Sequence, residues 1–363
     1  MVIKIVSLFD GISCGRVALE RAGFDVTSYA AFEIDKYAKS ISRINFPDIK
    51  YYGDVLGADF GKFANIDLVM GGSPCTFWSI AKTNREIDKN GVGWMLFMAF
   101  VEAVRTINPR FFLYENVASM PGTIREYISE ELGVEPVMIN SALVSAQSRR
   151  RLYWTNIPGI TQPKDRGILL KDIIDDGFYT FSPKAQCVLA TEYKRNPNDY
   201  IKKKNHTAVY KPYGAALRTR HDENGKFKRL EVRGDGKQNA ITTVQTDSVI
   251  CSPIRVGHIG RGGQGYRVYS VRGKTVSLMA NGGGAGGKTG LYKIDLPDGE
   301  YIVRKLTPIE AERCQTLPDN YTTFGLDDNG NTVNISNTQR YKAVGNGWTV
   351  DVIAHILQHI HSH

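Results

Sequence analysis

The sequence lacks several features that would assign it to a special class of protein. No apolar run approaches the ~18 residues that a membrane span needs. The opening segment MVIKIVSLFDG has neither the length nor the cleavage site of a secretory signal, and we interpret it as a first β-strand. The five cysteines form no CxxC pair and their number is odd, which argues against a zinc knuckle and against a disulfide framework. We therefore expect reduced thiols, a cytoplasmic setting and no metal site.

Acidic residues are also fewer than basic ones. With 46 Lys and Arg against 37 Asp and Glu, the formal net charge is +9 and the pI is about 9.1. Basic residues cluster in the second and third quarters of the chain, at 149–151, 202–204 and 218–221, where glycine and aromatic residues are interleaved with them. Such clusters are found on proteins that bind polyanions, but an ordinary solvated surface is the alternative interpretation.

The first ~155 residues alternate short apolar runs with helical patterns, which is typical of βα units around a parallel sheet. The pattern predicts helices at 15–23, 37–46 and 95–107, and strands at 3–9, 27–35, 66–72, 110–117, 137–144 and 151–157. Between about 165 and 300, a segment called the insert below, the helical periodicity fades, and short β-segments joined by glycine loops are expected. Helical spacing returns at 306–317 and 350–360.

Polar residues follow the first strands where a ligand would meet the sheet. Gly11 and Gly15 lie in the turn between the first strand and the first helix, and glycines there allow a ligand to approach the backbone. Glu33 ends the next strand and is suited to ribose hydroxyls, while Asp54 could accept from an adenine amino group. The spacing is not GxGxxG, so a tight βα turn without a ligand remains an alternative. A dinucleotide and an adenosine-sulfonium cofactor are both compatible with this pattern.

The stretch GGSPCTFWS, residues 71–79, raises a separate question about its cysteine. Free cysteines usually lie in protein cores as small hydrophobic residues. Cys75 instead lies in a glycine-flanked turn directly after the apolar segment IDLVM. At that position it is a candidate nucleophile rather than a core residue.

With this stretch in place, the sequence resembles the cytosine-5 DNA methyltransferases of the bacterial restriction-modification or phage type. The family's motifs occur in order as the FDG-x-x-x-G loop, Glu33, Asp54, Pro74-Cys75, Glu115-Asn116-Val117, the QSRRR segment 147–151, LTPIEAERCQTLP and YKAVGNGWTV. The resemblance implies an α/β fold with a Rossmann-like S-adenosylmethionine-dependent methyltransferase domain and a smaller, irregular β-rich target-recognition domain. It also implies S-adenosyl-L-methionine as cofactor and carbon 5 of cytosine in DNA as methyl acceptor.

The expected domain division follows these motifs. Residues 1–164 form the catalytic and cofactor-binding domain, and residues 165–329 form the target-recognition domain, of which 302–329 is a hinge-like return. Residues 330–363 are expected to complete the catalytic domain.

The resemblance also assigns catalytic roles. Cys75, as a thiolate, would add to carbon 6 of cytosine, because carbon 5 is otherwise a poor nucleophile. Glu115 would supply the acid at N3. Arg149 and Arg151, at alternate positions entering a strand, would face the base and hold its carbonyl, the phosphate and the acid, while Arg150 would face elsewhere.

For the cofactor, the resemblance carries over to Phe9, Gly11, Gly15, Glu33, Ile34, Asp54, Val55, Pro74, Leu96 and Asn346. The chain departs from the family pattern at two places. Gly347 and Trp348 stand where the family usually has Ser or Ala followed by valine. Thr76 replaces a common glutamine, and the bulky Phe77 and Trp78 either close the active loop or pack in the core.

A stacked base cannot be attacked, so the target cytosine must be flipped out and its neighbours read. Segment 260–290 resembles the recognition segment of some bacterial enzymes for G·C-rich tetranucleotides. By that match Gln264 enters the gap, Arg267 binds a guanine, Asn281 and Gly283 offer backbone groups, and Ser79 reaches a phosphate. A glycine-rich loop without such a role is the alternative. We expect a short recognition site that contains a GC step.

The sequence thus predicts an enzyme, a DNA (cytosine-5-)-methyltransferase that flips its base from double-stranded DNA. We expect a cytoplasmic monomer without membrane contact. A cognate restriction endonuclease that it does not touch is a candidate partner, whose existence the sequence leaves open. A catalytically inactive DNA-binding homologue is the alternative, and it would need the loss of Cys75 or Glu115, which are both present. A nicotinamide oxidoreductase would leave the ENV and QSRRR motifs and the basic insert unexplained.

Overall fold

The computed structural model describes residues 1–79, 84–174, 215–222, 225–232, 255–258, 267–269, 291–295, 301–304 and 306–362. Within this part of the chain, the largest element is a seven-stranded sheet with the strand order β3-β2-β1-β4-β5-β7-β6. Its strands are β1 (Val2–Leu8), β2 (Asp25–Phe32), β3 (Lys50–Tyr51), β4 (Leu68–Gly71), β5 (Phe111–Val117), β6 (Val137–Asn140) and β7 (Arg150–Thr155).

The sheet is buried on both faces. Successive residues of a strand point to opposite sides, so alternate residues of one strand enter two different cores. In β5, Phe111 and Leu113 join one hydrophobic cluster, whereas Phe112 and Tyr114 join a second cluster on the other face. All seven residues of β5 are buried. This double burial explains why the strands appear in the sequence as nearly continuous apolar runs rather than as alternating ones.

Helices cover the two faces. They are α1 (Cys14–Arg21), α2 (Lys36–Asn45), α3 (Val92–Ile107), α4 (Gly122–Leu132), α5 (Pro308–Cys314), α6 (Asn337–Asn346) and α7 (Val350–Gln358). The buried hydrophobic residues of α1, α2 and α7 belong to the first cluster, and those of α3 and α4 belong to the second. No helix in the described part of the chain is long and apolar enough to cross a membrane.

Most of the predicted elements are confirmed, with three differences. Strands β5 and β7 pair antiparallel, so the sheet is mixed rather than parallel throughout. The predicted strand 137–144 ends at Asn140, whose side chain accepts from the amide of Ala142 at 3.1 Å and starts a 3-10 turn at Ser141–Leu143. Helices α4 and α6 were not predicted, because α4 buries only Ile124, Ile128 and Ser129, and the buried residues of α6 include an arginine.

Beyond a 3-10 turn at Leu170–Asp172, the described parts of the insert are β-strands, as predicted. Strands β8 (Ala215–Asp222) and β9 (Gly225–Val232) form a hairpin, and a four-stranded sheet contains β10 (Arg255–His258), β11 (Arg267–Tyr269), β12 (Leu291–Asp295) and β13 (Tyr301–Arg304). The residues after the insert then return to the first core, where Leu306, Cys314 and Tyr321 are buried. The short strands β14 (Phe324–Leu326) and β15 (Thr332–Asn334) follow. The domain boundaries at 164 and 329 stay a prediction.

Candidate active site

The strand ends on one edge of the large sheet surround a cavity of about 280 Å³. Parallel strands β1 to β5 present their carboxyl ends there, and β7 begins there because it runs antiparallel. All of the predicted catalytic and cofactor-binding residues line this cavity, namely Cys75, Glu115, Arg149, Arg151, Phe9, Gly11, Gly15, Glu33, Ile34, Asp54, Val55, Pro74, Leu96 and Asn346. The fold therefore brings together residues from both ends of the chain.

On the β1–β2 side, a carboxylate is fixed by backbone amides. Glu33 accepts from the amide of Gly11 at 2.8 Å, and its other oxygen accepts from Ile34 and Asp35 at 2.8 and 2.7 Å. Gly11 has a φ of +60°, in the left-handed region that favours glycine. A carboxylate oriented beside an open glycine loop fits the hydroxyls of a ribose, so the residues present fit a nucleoside cofactor.

Sequence reasoning missed Asp10, which lies in the same loop and also lines the cavity. Its carboxylate accepts from the hydroxyls of Ser7 and Tyr29, each at 2.6 Å, and from Ser13. Burial raises the pKa of Asp10 to about 6, although these hydrogen bonds act in the opposite direction. The only signal in the sequence is its place between Phe9 and Gly11.

Cys75 begins a 3-10 turn, Cys75–Phe77, and is partly exposed to the cavity. The carbonyl of Cys75 accepts from the amides of Trp78 and Ser79 at 3.2 and 2.9 Å, which holds the turn closed. Trp78 is completely buried and joins the core cluster beneath the sheet. Of the two alternatives for Trp78, the structure therefore supports packing.

The turn that carries Cys75 is braced by Asn116. The side-chain amide of Asn116 donates to the carbonyl of Ser73 at 3.2 Å and lies 3.2 Å from the hydroxyl of Tyr114, which in turn hydrogen-bonds to the hydroxyl of Ser73 at 2.6 Å. Asn116 is 1% exposed, so it cannot itself reach a substrate. Its position in the ENV segment thus explains how β5 supports the neighbouring β4 turn.

Glu115 and Arg151 form an ion pair through the strand register. Glu115 lies opposite Tyr153, and Val117 lies opposite Arg151, so Glu115 and Arg151 are diagonal neighbours on one face. The Nε of Arg151 is 2.8 Å from Oε1 of Glu115, and both side chains are 11% exposed. The indole Nε1 of Trp348 donates to the other oxygen, Oε2, at 3.0 Å.

Arg149 and Arg150 differ as predicted in their orientation: Arg149 is 4% exposed, whereas Arg150 is exposed. Arg149 donates to the carbonyl of Gly345 at 3.3 Å and to the carbonyl of Gly347 at 3.1 Å. Burial, followed by the nearby charge of Arg151, lowers the pKa of Arg149 to about 10, so it remains protonated at neutral pH. It therefore places a permanent positive charge beside the cavity.

The C-terminal segment reaches the cavity through α6, which ends at Asn346. Lys342 on this helix forms an ion pair with Asp35 at 2.5 Å. Gln315 donates to the carbonyls of Val344 and Gly347 at 2.9 and 3.1 Å. Sequence reasoning assigned no role to Lys342 or Gln315, since their partners lie far away in the sequence.

The predicted DNA-binding residues are only partly covered. Ser79 lies in the described turn after Cys75 and is half-buried, and Arg267 begins β11. The Nε of Arg267 is buried and has no hydrogen-bond partner among the described residues. Gln264, Asn281 and Gly283 lie outside the described residues.

Comparisons with known proteins agree with this geometry. Residues 3–362 match the family model of the C-5 cytosine-specific DNA methylases. The chain is 26% identical to the type II methyltransferase M.HhaI of Haemophilus parahaemolyticus, over 99% of this chain and 94% of that protein. It is also 26% identical to the orphan methyltransferase M.SPRI of Bacillus phage SPR, over 99% of this chain and 97% of that protein.

Two solved structures share the fold. The methyltransferase EhMeth of Entamoeba histolytica matches with a TM-score of 0.61 at 14% identity, over 100% of this chain and 98% of that one. A mutant of DNMT2 from Spodoptera frugiperda matches with a TM-score of 0.55 at 17% identity, over 99% of each chain. At these identities the likeness concerns the fold alone, and it agrees with a Rossmann-like α/β domain.

Proposed function

Because the chain belongs to the C-5 cytosine-specific DNA methylase family, it is a DNA (cytosine-5-)-methyltransferase that uses S-adenosyl-L-methionine, and we propose that Cys75 and Glu115 carry out its chemistry. The observation that supports this assignment is their meeting with Arg149, Arg151 and the hydrogen-bonded pair of Gly11 and Glu33 around one cavity. Double-stranded DNA is the substrate.

When bound, S-adenosyl-L-methionine supplies an electrophilic sulfonium methyl group for carbon 5. The thiolate of Cys75 forms the bond from Sγ to carbon 6 of the flipped cytosine, and the electron pair of the C5=C6 bond is displaced through the ring toward N3. Glu115 delivers a proton to N3 and so neutralises the charge that develops there. Carbon 5 takes the methyl group, which leaves S-adenosyl-L-homocysteine, and the proton on N3 returns to Glu115. The proton on carbon 5 is then lost to a base such as water, its electron pair re-forms the C5=C6 bond, and the bond between sulfur and carbon 6 breaks to restore the Cys75 thiolate.

The two buried arginines assist these steps. Arg151 holds Oε1 of Glu115, which leaves the rest of that carboxyl for the base. Arg149 stays cationic beside the cavity, where its guanidinium can hold the base carbonyl and the phosphate.

For the cofactor we propose that Glu33 binds the ribose and that Asp54 accepts from the adenine amino group. Phe9 packs against the adenosine or the sulfonium, with Gly11 and Gly15 giving backbone access. Val55, Ile34, Leu96 and Pro74 line the apolar parts of the cavity, and Asn346 reaches it from the C-terminal segment. The carboxylate fixed by three amides supports the fit of a nucleoside cofactor.

For DNA we propose that the target-recognition domain, residues 165–329, reads a short GC-containing site. Arg267, at the start of β11, would bind O6 and N7 of a guanine. Gln264 fills the gap left by the flipped base, Asn281 and Gly283 contact base edges, and Ser79 binds a phosphate. Lysine and arginine in this domain give salt-dependent affinity.

We propose a monomer in the cytoplasm, where the described cysteines, Cys14, Cys75 and Cys314, would remain the free thiols they are in this structure. A cognate restriction endonuclease that makes no contact with this chain is proposed because M.HhaI is named a type II methyltransferase. The alternative of an inactive DNA-binding homologue has no support, since Cys75 and Glu115 are both present.

The decisive experiment gives purified protein duplex DNA and methyl-labelled S-adenosyl-L-methionine, followed by bisulfite sequencing. Label should appear at carbon 5 of one cytosine within a fixed site. Cys75→Ser should abolish transfer, whereas the matched variant Cys314→Ser, at a buried thiol that does not line the cavity, should retain it. Transfer that survives Cys75→Ser undiminished would contradict the mechanism.

A further inference from the structure

Trp348 occupies a rigid position between α6 and α7. The carbonyl of the preceding Gly347 accepts from Arg149 and from Gln315, each at 3.1 Å. A Cβ added at Gly347 would lie 2.9 Å from Sγ of Cys14, so the absence of a side chain there lets Cys14 pack against this segment. The backbone of Trp348 is therefore held from several directions, and its ring has a defined direction.

The indole ring spans the distance between the cofactor loop and Glu115. A Cβ added at Gly15 would lie 3.4 Å from Cζ3 of Trp348, which places the six-membered part of the ring beside that loop. At the other end, Nε1 donates to Oε2 of Glu115 at 3.0 Å. Trp348 lines the same cavity as Cys75 and Glu115.

The two oxygens of Glu115 thus have different partners. Oε1 is 2.8 Å from the Nε of Arg151, a permanently charged donor, so this oxygen is a poor place for a proton. Oε2 accepts from a neutral N–H and keeps a second lone pair. The proton bound for N3 of cytosine would sit on this second lone pair. An indole can donate but cannot accept a hydrogen bond, so Trp348 cannot compete with the base for that proton.

We propose that Trp348 is a positioning residue that holds Oε2 of Glu115 as the oxygen that delivers the proton to N3 of cytosine. This inference rests on the proposed role of Glu115. When the proton leaves Oε2, the carboxyl becomes more negative, and the N–H of Trp348 stabilises that charge more than it stabilises the neutral acid. The contact therefore acts on the rate of the chemical step rather than on substrate binding.

Two substitutions separate the hydrogen bond from the bulk of the ring. Trp348→Phe keeps an aromatic ring but removes the N–H. Trp348→His removes the six-membered ring but keeps a donor, since Nε2 of histidine takes the ring position of Nε1 relative to Cβ. The matched control is Trp154→Phe. It deletes an indole hydrogen bond of the same length, from Nε1 to the hydroxyl of Ser129 at 3.0 Å, at a buried site away from the cavity.

The measurement is kcat and KM for S-adenosyl-L-methionine and for duplex DNA, in the wild-type and Glu115→Gln backgrounds. Trp348→Phe should lower kcat about tenfold, equivalent to about 1.4 kcal/mol, with both KM values within about twofold of wild type. Trp348→His should retain most of kcat, Trp154→Phe should leave kcat unchanged, and Trp348→Phe should add no further loss to Glu115→Gln.

Other results overturn the proposal. A kcat of Trp348→Phe within about twofold of wild type excludes the role. The role is also excluded if Trp348→Phe lowers kcat by the same factor in the Glu115→Gln background as in wild type. A larger loss of kcat in Trp348→His than in Trp348→Phe would assign Trp348 to packing. So would a Trp348→Phe variant in which only the KM for S-adenosyl-L-methionine is raised. If Trp348→Phe fails to fold, Trp348→His alone decides, since loss of kcat in that folded variant refutes the role. Full activity of Glu115→Gln would instead reject the proposed function.

Discussion

Arg340→Leu should destabilise the α/β domain strongly, because Arg340 neutralises a carboxylate that is shut off from water. The Nη2 of Arg340 is 2.8 Å from Oε1 of Glu312, whose side chain is 0% exposed, while that of Arg340 is 9% exposed. The Nε of Arg340 donates to the hydroxyl of Thr322 at 3.0 Å, and the Thr322 hydroxyl in turn donates to Glu312. Removing the guanidinium leaves Glu312 charged and unpaired.

The expected magnitude follows from this burial. Removing one partner of a buried ion pair typically costs about 3–5 kcal/mol. The carboxyl can escape by taking up a proton, and protonating an ordinary glutamate at pH 7 costs about 3.7 kcal/mol. The loss in unfolding free energy should therefore be about 3–4 kcal/mol. This is a large part of the ~5–15 kcal/mol available to a typical domain.

Urea unfolding, followed by tryptophan fluorescence, measures this loss of unfolding free energy in the α/β domain. All four tryptophans, at positions 78, 94, 154 and 348, lie outside the insert. With an m-value of about 3 kcal/mol/M, the midpoint should fall by about 1 M. The matched control is Arg105→Leu, where a similar distance of 2.9 Å to Glu131 joins side chains that are 60% and 24% exposed. That variant should lose less than about 1 kcal/mol.

Equal losses for Arg340→Leu and Arg105→Leu would refute the argument from burial. A second check is the double variant Glu312→Gln, Arg340→Leu, which removes the unpaired charge. It should recover a large part of the stability lost in Arg340→Leu. Failure to recover any would show that the loss comes from packing around Arg340 rather than from the charge on Glu312.

Two further predictions concern the cavity. Burial raises the pKa of Asp10 from 3.8 to about 6, so the folded chain binds a proton between these pH values that the unfolded chain has lost. Stability should fall as pH rises through that window, and urea titrations should show this slope in wild type but not in Asp10→Asn. A Cβ at Gly72 would lie 2.8 Å from the carbonyl oxygen of Glu115. Gly72→Ala should cost about 1–3 kcal/mol in unfolding free energy and lower kcat, and an unchanged variant in both assays would contradict the contact.

Much of the fold could be predicted because the pattern is local. The strands β1, β4 and β5 contain buried apolar runs, and α3 and α7 carry apolar residues at helical spacing. The direction of β7 could not be predicted, since parallel and antiparallel buried strands have the same composition. Helix α6 was missed because its partners, such as Glu312, lie on other elements and leave little apolar pattern in the helix itself.

The sequence by itself determined which residues the cavity would need. Strand ends are local features, so Gly11, Glu33, Asp54 and Cys75 could be assigned to one sheet edge from the order of apolar runs and polar residues alone. The ordered motifs around them likewise carried the resemblance to the cytosine-5 DNA methyltransferases.

Only the tertiary structure decided which side chains touch. The register of β5 against β7 sets Arg151 on Oε1 of Glu115, and the return of the C-terminal segment brings Trp348 to Oε2. Likewise, burial decided that Trp78 packs in the core. Hydrogen bonds act over about 3 Å, and a contact between residues far apart in sequence exists only once the whole domain has packed.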